Sequence, residues 1–420
     1  MFKSNPLFNT LVQLKGNPRA CVWTEPLWGI PFNLYAPYAS LYMIALGVTT
    51  SQVGLIASLG MFVQVFSALV SGAITDKLGR KRTTFIFDLI SWSIPCLIWA
   101  VAQNFTYFVI AAIINGLWRI TANSWSCLLV EDANPDTLVD IFSWTHIAGL
   151  LAAFVAPLAG VFVGRYGLVP TVRVLYLFAF VSMTAKFVIL NVFATETKQG
   201  EIRQRETANQ SILSILGQYG EVMRQILQAR QTLISLGIML VMSICTMVNG
   251  TFWAILVTER LQIPQQNIAM FPFVKSVVML GCFFFVMPKI SRLHFRRPML
   301  TGFALFILSQ LLLVSSPVGG YVILLVSMVL EACSLVLIQP FMDSLVARSV
   351  DARERARIMA LLNVVVISLT SPFGWLAGLM AEADQRLPFM MNIGLFVLGA
   401  ILVIQAARFF KPQEPAASAS

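Results

Sequence analysis

The chain has 420 residues, 58% of them hydrophobic and only 11% charged, whereas a soluble domain carries roughly a quarter charged residues. This excludes an ordinary soluble enzyme and leaves an integral membrane protein, whose backbone polar groups must be satisfied within helices or a closed barrel. The formal net charge of +10 is no nucleic-acid signal, because the basic residues sit in short clusters between apolar runs, such as Lys77–Arg82 and Arg292–Arg297, as in a polytopic membrane protein.

A membrane-crossing helix needs about 20 mostly apolar residues. Twelve such runs are predicted, at 27–46, 51–75, 83–102, 105–130, 138–164, 170–194, 232–257, 268–290, 298–316, 318–345, 356–380 and 388–409. They are too long and too continuously apolar for the alternating strands of a barrel. The sequence therefore predicts an all-α integral membrane protein of twelve transmembrane helices. The opening residues lack an apolar core followed by a small-residue cleavage site, so no cleaved signal peptide is expected.

The first run has Asn33, Pro37 and Ser40 on one face and Tyr35, Tyr38 and Tyr42 on another, with prolines at 26, 31 and 37. Those prolines weaken its backbone hydrogen bonding, which is tolerated beside a cavity or partner helices. The fourth run carries Asn115, Arg119 and Asn123 at four-residue spacing, a polar stripe along one helix face. An always-charged guanidinium inside an otherwise uncharged run marks a functional candidate. The third and sixth runs hold Asp88 and Lys186, for which snorkelling toward the interface is expected, and His146 in the fifth is expected to be a satisfied core histidine.

Residues 195–231 are long and charged, with Ile212, Ile215, Leu216, Tyr219, Met223 and Ile226 in a helical pattern. They predict a cytoplasmic linker holding an amphipathic helix, which divides residues 1–194, six spans, from residues 232–410, six more. The seventh run places Thr246, Asn249 and Trp253 together, the eighth holds Lys275, and the tenth has Ser327, Glu331 and Ser334 on one face. The tail 411–420 is expected to be disordered.

With both termini in the cytoplasm, the inner segments hold 22 of the 29 basic residues and the outer loops four, Arg165, Arg173, Arg260 and Arg386. That asymmetry predicts a multi-pass protein of the cell membrane with both ends inside. The six cysteines lie in or beside apolar runs with no CxxC pair, so neither a disulfide framework nor a zinc site is expected.

The two halves align weakly at an offset of 215 residues. Lys81-Arg82 meet Arg296-Arg297, Asp136 meets Asp351, and Pro157 meets Pro372. Two pseudo-symmetric six-helix bundles around a midplane site is a common build of secondary transporters. In that register Arg119 falls on Ser334, three residues from Glu331, so the two unlike charges are expected at similar depth on facing helices.

The loop after the second run reads Gly72-Ala-Ile-Thr-Asp76-Lys-Leu-Gly79-Arg80-Lys81-Arg82. Gly72 would allow close helix approach, Asp76 can cap or pair, and Gly79 breaks the helix. The pattern resembles motif A of the major facilitator superfamily, and the resemblance covers the whole chain: twelve runs, a six-plus-six division, a long central loop. "RITANSWS" resembles motif B, with Arg119 in the arginine position and Asn123 where glycine is usual. "AAFVAPLAG" resembles motif C of the antiporter branch, with Ala156, Pro157 and Gly160, although Ala156 replaces the usual glycine. "ATETKQG" after the sixth run resembles the PETKG signature with its proline lost.

This resemblance implies a secondary active transporter working by alternating access, with helices 1, 4, 7 and 10 lining the cavity. Proton-coupled export of a drug or metabolite is favoured over a proton-coupled uptake symporter, with a lipid flippase or non-transporting sensor as a further alternative. The expected substrate-binding set is Asn33, Tyr35, Tyr38, Asn115, Arg119, Asn123, Asn249, Trp253, Lys275 and Glu331. Glu331 and Arg119 are the proton-coupling candidates, or else a structural ion pair between the halves. The pocket's excess positive charge and aromatic residues favour an anionic or zwitterionic amphiphile. The motif A loop is expected to latch a cytoplasmic gate with Glu131, Asp132, Asp136 and Asp140. No cofactor beyond a proton gradient is implied, and the expected partners are a small-molecule substrate and the bilayer, with the chain acting as a monomer.

Overall fold

A computed structural model describes residues 11–134, 137–207, 229–290, 294–348 and 355–409. The linker helix expected around 212–226, the tail 411–420, Asp136 and Asp351 lie outside the described residues.

Among the described residues eleven helices are long and apolar enough to cross a membrane. They are α2 (Thr50–Leu78), α3 (Arg80–Ala100), α4 (Phe105–Val130), α5 (Asp140–Tyr166), α6 (Leu168–Phe193), α7 (Arg230–Arg260), α8 (Gln265–Phe285), α9 (Arg296–Ser315), α10 (Tyr321–Val346), α11 (Leu361–Ala383) and α12 (Leu387–Arg408). The twelfth, α1, runs in pieces, Gly16–Thr24, Pro26–Tyr35 and Ala39–Ala45, joined through a 3-10 turn at Ala36–Tyr38. Its breaks fall where Pro26 and Pro37 remove N–H donors, while Pro31 sits inside the second piece. The sequence predicts this helix from residue 27, but it begins eleven residues earlier, at Gly16, so Glu25 lies inside it and is paired with Lys186.

The 215-residue repeat is visible in the helix boundaries. Moved on by that offset, α3, α4 and α6 fall within about four residues of α9, α10 and α12. The loops at 76–82, 131–134 and 194–207 and the residues 286–290 and 294–297 share one end of the molecule, called here the basic end.

At the other end the halves meet. α2 and α11 cross through Gly54, Gly374 and Gly378: a Cβ on Gly54 would lie 2.8 Å from the Gly378 Cα and would collide with the Gly374 carbonyl. Small residues that allow backbones to approach are how helices associate in lipid, where apolar burial gives no net drive. Beside them Ser58 donates to the Ser371 carbonyl at 2.5 Å and accepts from the Trp375 N–H at 2.7 Å, and Ser371 donates back to the Ser58 carbonyl at 2.9 Å. α5 meets α8 through Phe154 and Phe273, ring centroids 5.1 Å apart.

Candidate functional site

A cavity of about 260 Å³ lies at mid-depth, walled mainly by α7, α8 and α10, with Ala36 and Pro37 of α1 closing it from the first half. Its polar centre is Glu331, whose side chain is only 7% exposed and whose Oε1 lies 2.6 Å from Lys275 Nζ. Asn249 Nδ2 donates to the same oxygen at 3.4 Å, and Asn392 Nδ2 donates to Asn249 Oδ1 at 3.1 Å. Trp253, Thr246, Pro272, Phe306 and Met328 complete an apolar wall, with Trp253 packed edge-on against Phe271 at 5.2 Å. One ammonium and one carboxylate in an apolar pocket fix a ligand's orientation by two opposite charges.

Of the expected binding residues, Asn249, Trp253, Lys275 and Glu331 come together here. The others do not line this cavity. Glu331 is paired with Lys275, not with Arg119. Arg119 instead donates from Nε to Gln64 Oε1 of α2 at 3.2 Å and stacks its guanidinium 4.1 Å over the Trp118 ring. Asn115 donates to the Ser91 carbonyl of α3 at 2.8 Å, and Asn123 to Thr75 Oγ1 of α2 at 3.4 Å. The polar stripe of α4 thus ties α4 to α2 and α3. Asn33 turns back to the Gly29 carbonyl of its own helix at 2.8 Å. Tyr35, 4% exposed, packs 4.7 Å from Tyr176 inside the first bundle. Tyr38 is fully buried and wedged beside Gly160, where the halves touch.

Sequence reasoning missed Ala36, Pro272, Phe306, Met328 and Asn392, and it placed Pro37 and Thr246 on the expected cavity faces without including them in the binding set. Pro37 was readable as a cavity signal, since it breaks a spanning helix; Asn392 lies two helices beyond the expected lining set and gave no such signal.

The motif A loop forms a network within the first half. Arg80 Nη1 pairs with Asp76 Oδ1 at 2.9 Å, and its Nε with Glu131 Oε2 at 3.0 Å. Thr197 Oγ1 donates to Glu131 Oε2 at 2.5 Å. Gly79 has φ of 87°, a left-handed conformation that lets α3 start one residue after α2 ends. Glu196 then accepts the Arg80 and Lys81 N–H groups at 2.8 and 3.1 Å, capping the new helix from a distant segment. Lys81 is half-buried and Arg82 exposed. Asp132 receives Asn17 Nδ2 at 3.3 Å. Of the expected latch partners, Glu131 meets the motif A loop through Arg80, and Asp76, Arg80, Glu131, Asp132, Glu196 and Thr197 all belong to the first six helices and the segment just after them. Among the described residues, no heavy atom lies within 4 Å of where a Cβ on Gly72 would sit.

The motif C-like residues lie at the inter-half contact. Ala156 is fully buried, Pro157 follows the 3-10 turn Ala153–Val155, and a Cβ on Gly160 would collide with the Gln266 carbonyl of the second half. At the same end, in the loop after α11, Asp384 pairs with Arg386 at 2.8 Å and Arg260 at 3.6 Å. Hydrogen bonds from Arg386 hold its carboxyl down to about 2, and Gln385 donates to Glu259 nearby.

Two six-helix halves enclosing a charged cavity at mid-depth have the build of a secondary transporter. Residues 28–375 match the Major Facilitator Superfamily, and the chain belongs to that family. With eleven membrane-crossing helices among the described residues, it is a multi-pass integral membrane protein of that family. It is 28% identical over 123 residues to the mouse major facilitator superfamily domain-containing protein 10, covering 29% of this chain and 26% of that one. It is 28% identical over 179 residues to the multidrug resistance protein MdtG of Serratia proteamaculans (strain 568), covering 40% and 42%. These matches span between about a quarter and two fifths of the relatives' length. The crystal structure of the nucleoside transporter NupG superposes with a TM-score of 0.73 at 16% identity, covering 94% of this chain and all of that one; at that identity the likeness speaks for the fold.

Proposed function

We propose that the protein exports a zwitterionic amphiphile across the cytoplasmic membrane in exchange for protons. The observation that carries this reading is the 2.6 Å contact between Lys275 and Glu331 at the centre of the cavity. A substrate carboxylate would take Lys275, and a substrate amine would take Glu331. The amine needs an ionised Glu331, so substrate and proton compete for one group, which is the condition for exchange. A simple anion would bind best with Glu331 protonated and Lys275 released, and would travel with the proton instead. Glu331 is therefore the proton carrier of this reading and Lys275 the anion clamp, while Arg119 braces α4 against α2.

The charge asymmetry of the loops supports a cytoplasmic basic end and both termini inside. The halves meet at the opposite end, through Gly54, Gly378, Gly160 and Gln266, so the described conformation is read as closed to the outside. Export is supported by the likeness to MdtG, a multidrug resistance protein by name, and by the motif C-like residues. Both halves of the cavity come from one chain, so a monomer is a complete transporter.

The test is counterflow and pH-driven transport in proteoliposomes with a panel of zwitterions, anions, cations and sugars. Zwitterions should compete with protons, and Glu331→Gln should lose pH-driven transport while residual counterflow persists. A Glu331→Gln protein that still accumulates substrate against a pH gradient would overturn the assignment. Co-transport of substrate with protons in the unaltered protein would turn exporter into symporter.

A further inference from the structure

A second ionisable cluster lies outside the cavity, inside the first bundle. Lys186 of α6 and Asp88 of α3 do not snorkel: they are 5% and 6% exposed. Lys186 Nζ lies 2.9 Å from Glu25 Oε2 of α1 and about midway between two indoles, 5.8 Å from the Trp28 ring and 5.6 Å from Trp125. Asp88 receives one hydrogen bond, from Thr121 Oγ1 of α4 at 2.7 Å, and no cation approaches it within ion-pair distance among the described residues.

The cluster thus holds two carboxyl groups and one ammonium. Fully ionised, it carries one uncompensated negative charge inside the membrane, an expensive arrangement. One proton makes it neutral. Of the two carboxyls, Glu25 touches the ammonium and Asp88 has only a neutral hydroxyl, so the proton belongs on Asp88. The other titratable and polar groups around it are the buried Cys21 thiol of α1, Thr121 and Trp125 of α4, and Lys81 of α3, a cation two turns nearer the basic end that faces the same crevice.

Access is built in as well. Asp88 lines a crevice of about 10 Å³, near the minimum for one water molecule, whose other walls are Lys81, Thr84, Phe85, Leu128, Phe187 and Asn191 with their neighbours at the basic end. Hydroxyls mark the same route: Thr84 Oγ1 and Ser124 Oγ are 2.7 Å apart, and Ser124 Oγ donates to the Thr121 carbonyl at 3.2 Å.

We propose that Glu25, Asp88 and Lys186 form a second proton-binding site, with Asp88 carrying the proton and the crevice admitting it from the basic end. Its use in transport rests on the proton-coupled reading above; its protonation does not. Coupling through both Asp88 and Glu331 gives a transport cycle moving one more proton than Glu331 alone would.

Infrared difference spectroscopy on the purified protein in lipid nanodiscs, titrated in pH, reads protonated carboxyl groups directly. The expected result is a titrating carboxylic-acid band that persists in Glu331→Gln, disappears in Asp88→Asn and returns shifted in Asp88→Glu. Thr121→Val removes the hydrogen bond that favours the ionised form and should raise proton affinity about tenfold, moving the midpoint up by about one pH unit. A band unchanged in Asp88→Asn, or a midpoint unmoved in Thr121→Val should the first variant fail to fold, would overturn the site. The proton-to-substrate ratio should fall by one in Asp88→Asn. Absence of any pH-driven transport in the unaltered protein would overturn the exchange reading and leave the infrared result to decide the site.

Discussion

Replacing Lys275 by methionine removes the ammonium and keeps most of the side-chain volume. At 2.6 Å and an effective dielectric of about 20, the gross attraction in the pair is on the order of 6 kcal/mol. Desolvating both ions offsets much of that, and breaking a buried pair by deleting one partner costs roughly 3–5 kcal/mol. The Lys275 side chain is 26% exposed, so water screens part of it and about 2–3 kcal/mol is expected. Glu331→Gln alone should be destabilising too, because it strands the ammonium. The double variant Lys275→Met/Glu331→Gln should recover most of the loss, giving a coupling energy of about 2 kcal/mol. The assay is reversible denaturant unfolding of the four proteins in mixed micelles, with binding of a zwitterion measured alongside. If the two single changes add to within about 0.5 kcal/mol, the pair is not formed in the resting protein and the cavity loses its organising contact.

Arg119→Gln should leave zwitterion affinity within about twofold, because Arg119 contacts Gln64 and Trp118, whereas Lys275→Gln should lower it more than about tenfold; equal losses in equilibrium binding would return Arg119 to the cavity. Glu196→Gln weakens the cap on α3 and should cost about 1 kcal/mol in the same unfolding assay, with no loss expected for Glu201→Gln, which is exposed. Gly54→Val should destabilise the α2–α11 crossing by about 1–3 kcal/mol and abolish counterflow, and a fully active variant would mean the crossing opens more freely than the Gly378 contact implies. Asp384, held down to about 2, contributes stability that is present above its unfolded value of about 3.9 and is lost as pH falls through about 2. As a surface pair it is worth about 0–1 kcal/mol, so the difference between the protein and Asp384→Asn should be small at neutral pH and vanish in strong acid.

Helix number and the repeat were legible because apolar run length and basic clusters are local properties. Facing direction was not. The stripe argument for Tyr35 and Tyr38 assumes one continuous helix, and the 3-10 turn at Ala36–Tyr38 resets the rotation there, sending Tyr35 toward Tyr176 instead of the cavity. Depth read from the 215-residue offset says nothing about rotation, so Arg119 could be placed beside Glu331 in height and still face Gln64. Lys186, Asp88 and Glu25 each look like an isolated interfacial charge. Their shared signal was depth: each lies about 7–9 residues inside its helix from the basic end, which is ~10–13 Å at 1.5 Å per residue, with opposite signs on three different helices.

The α2–α11 crossing touches mainly through backbone, at Gly54, Gly374 and Gly378. Interlocked side chains would have to leave one set of grooves and enter another for the halves to rock. Bare backbones present no such teeth. Such a crossing would let the bundle pivot as on a smooth bearing, with the three exchangeable hydrogen bonds of Ser58, Ser371 and Trp375 as its directional contacts.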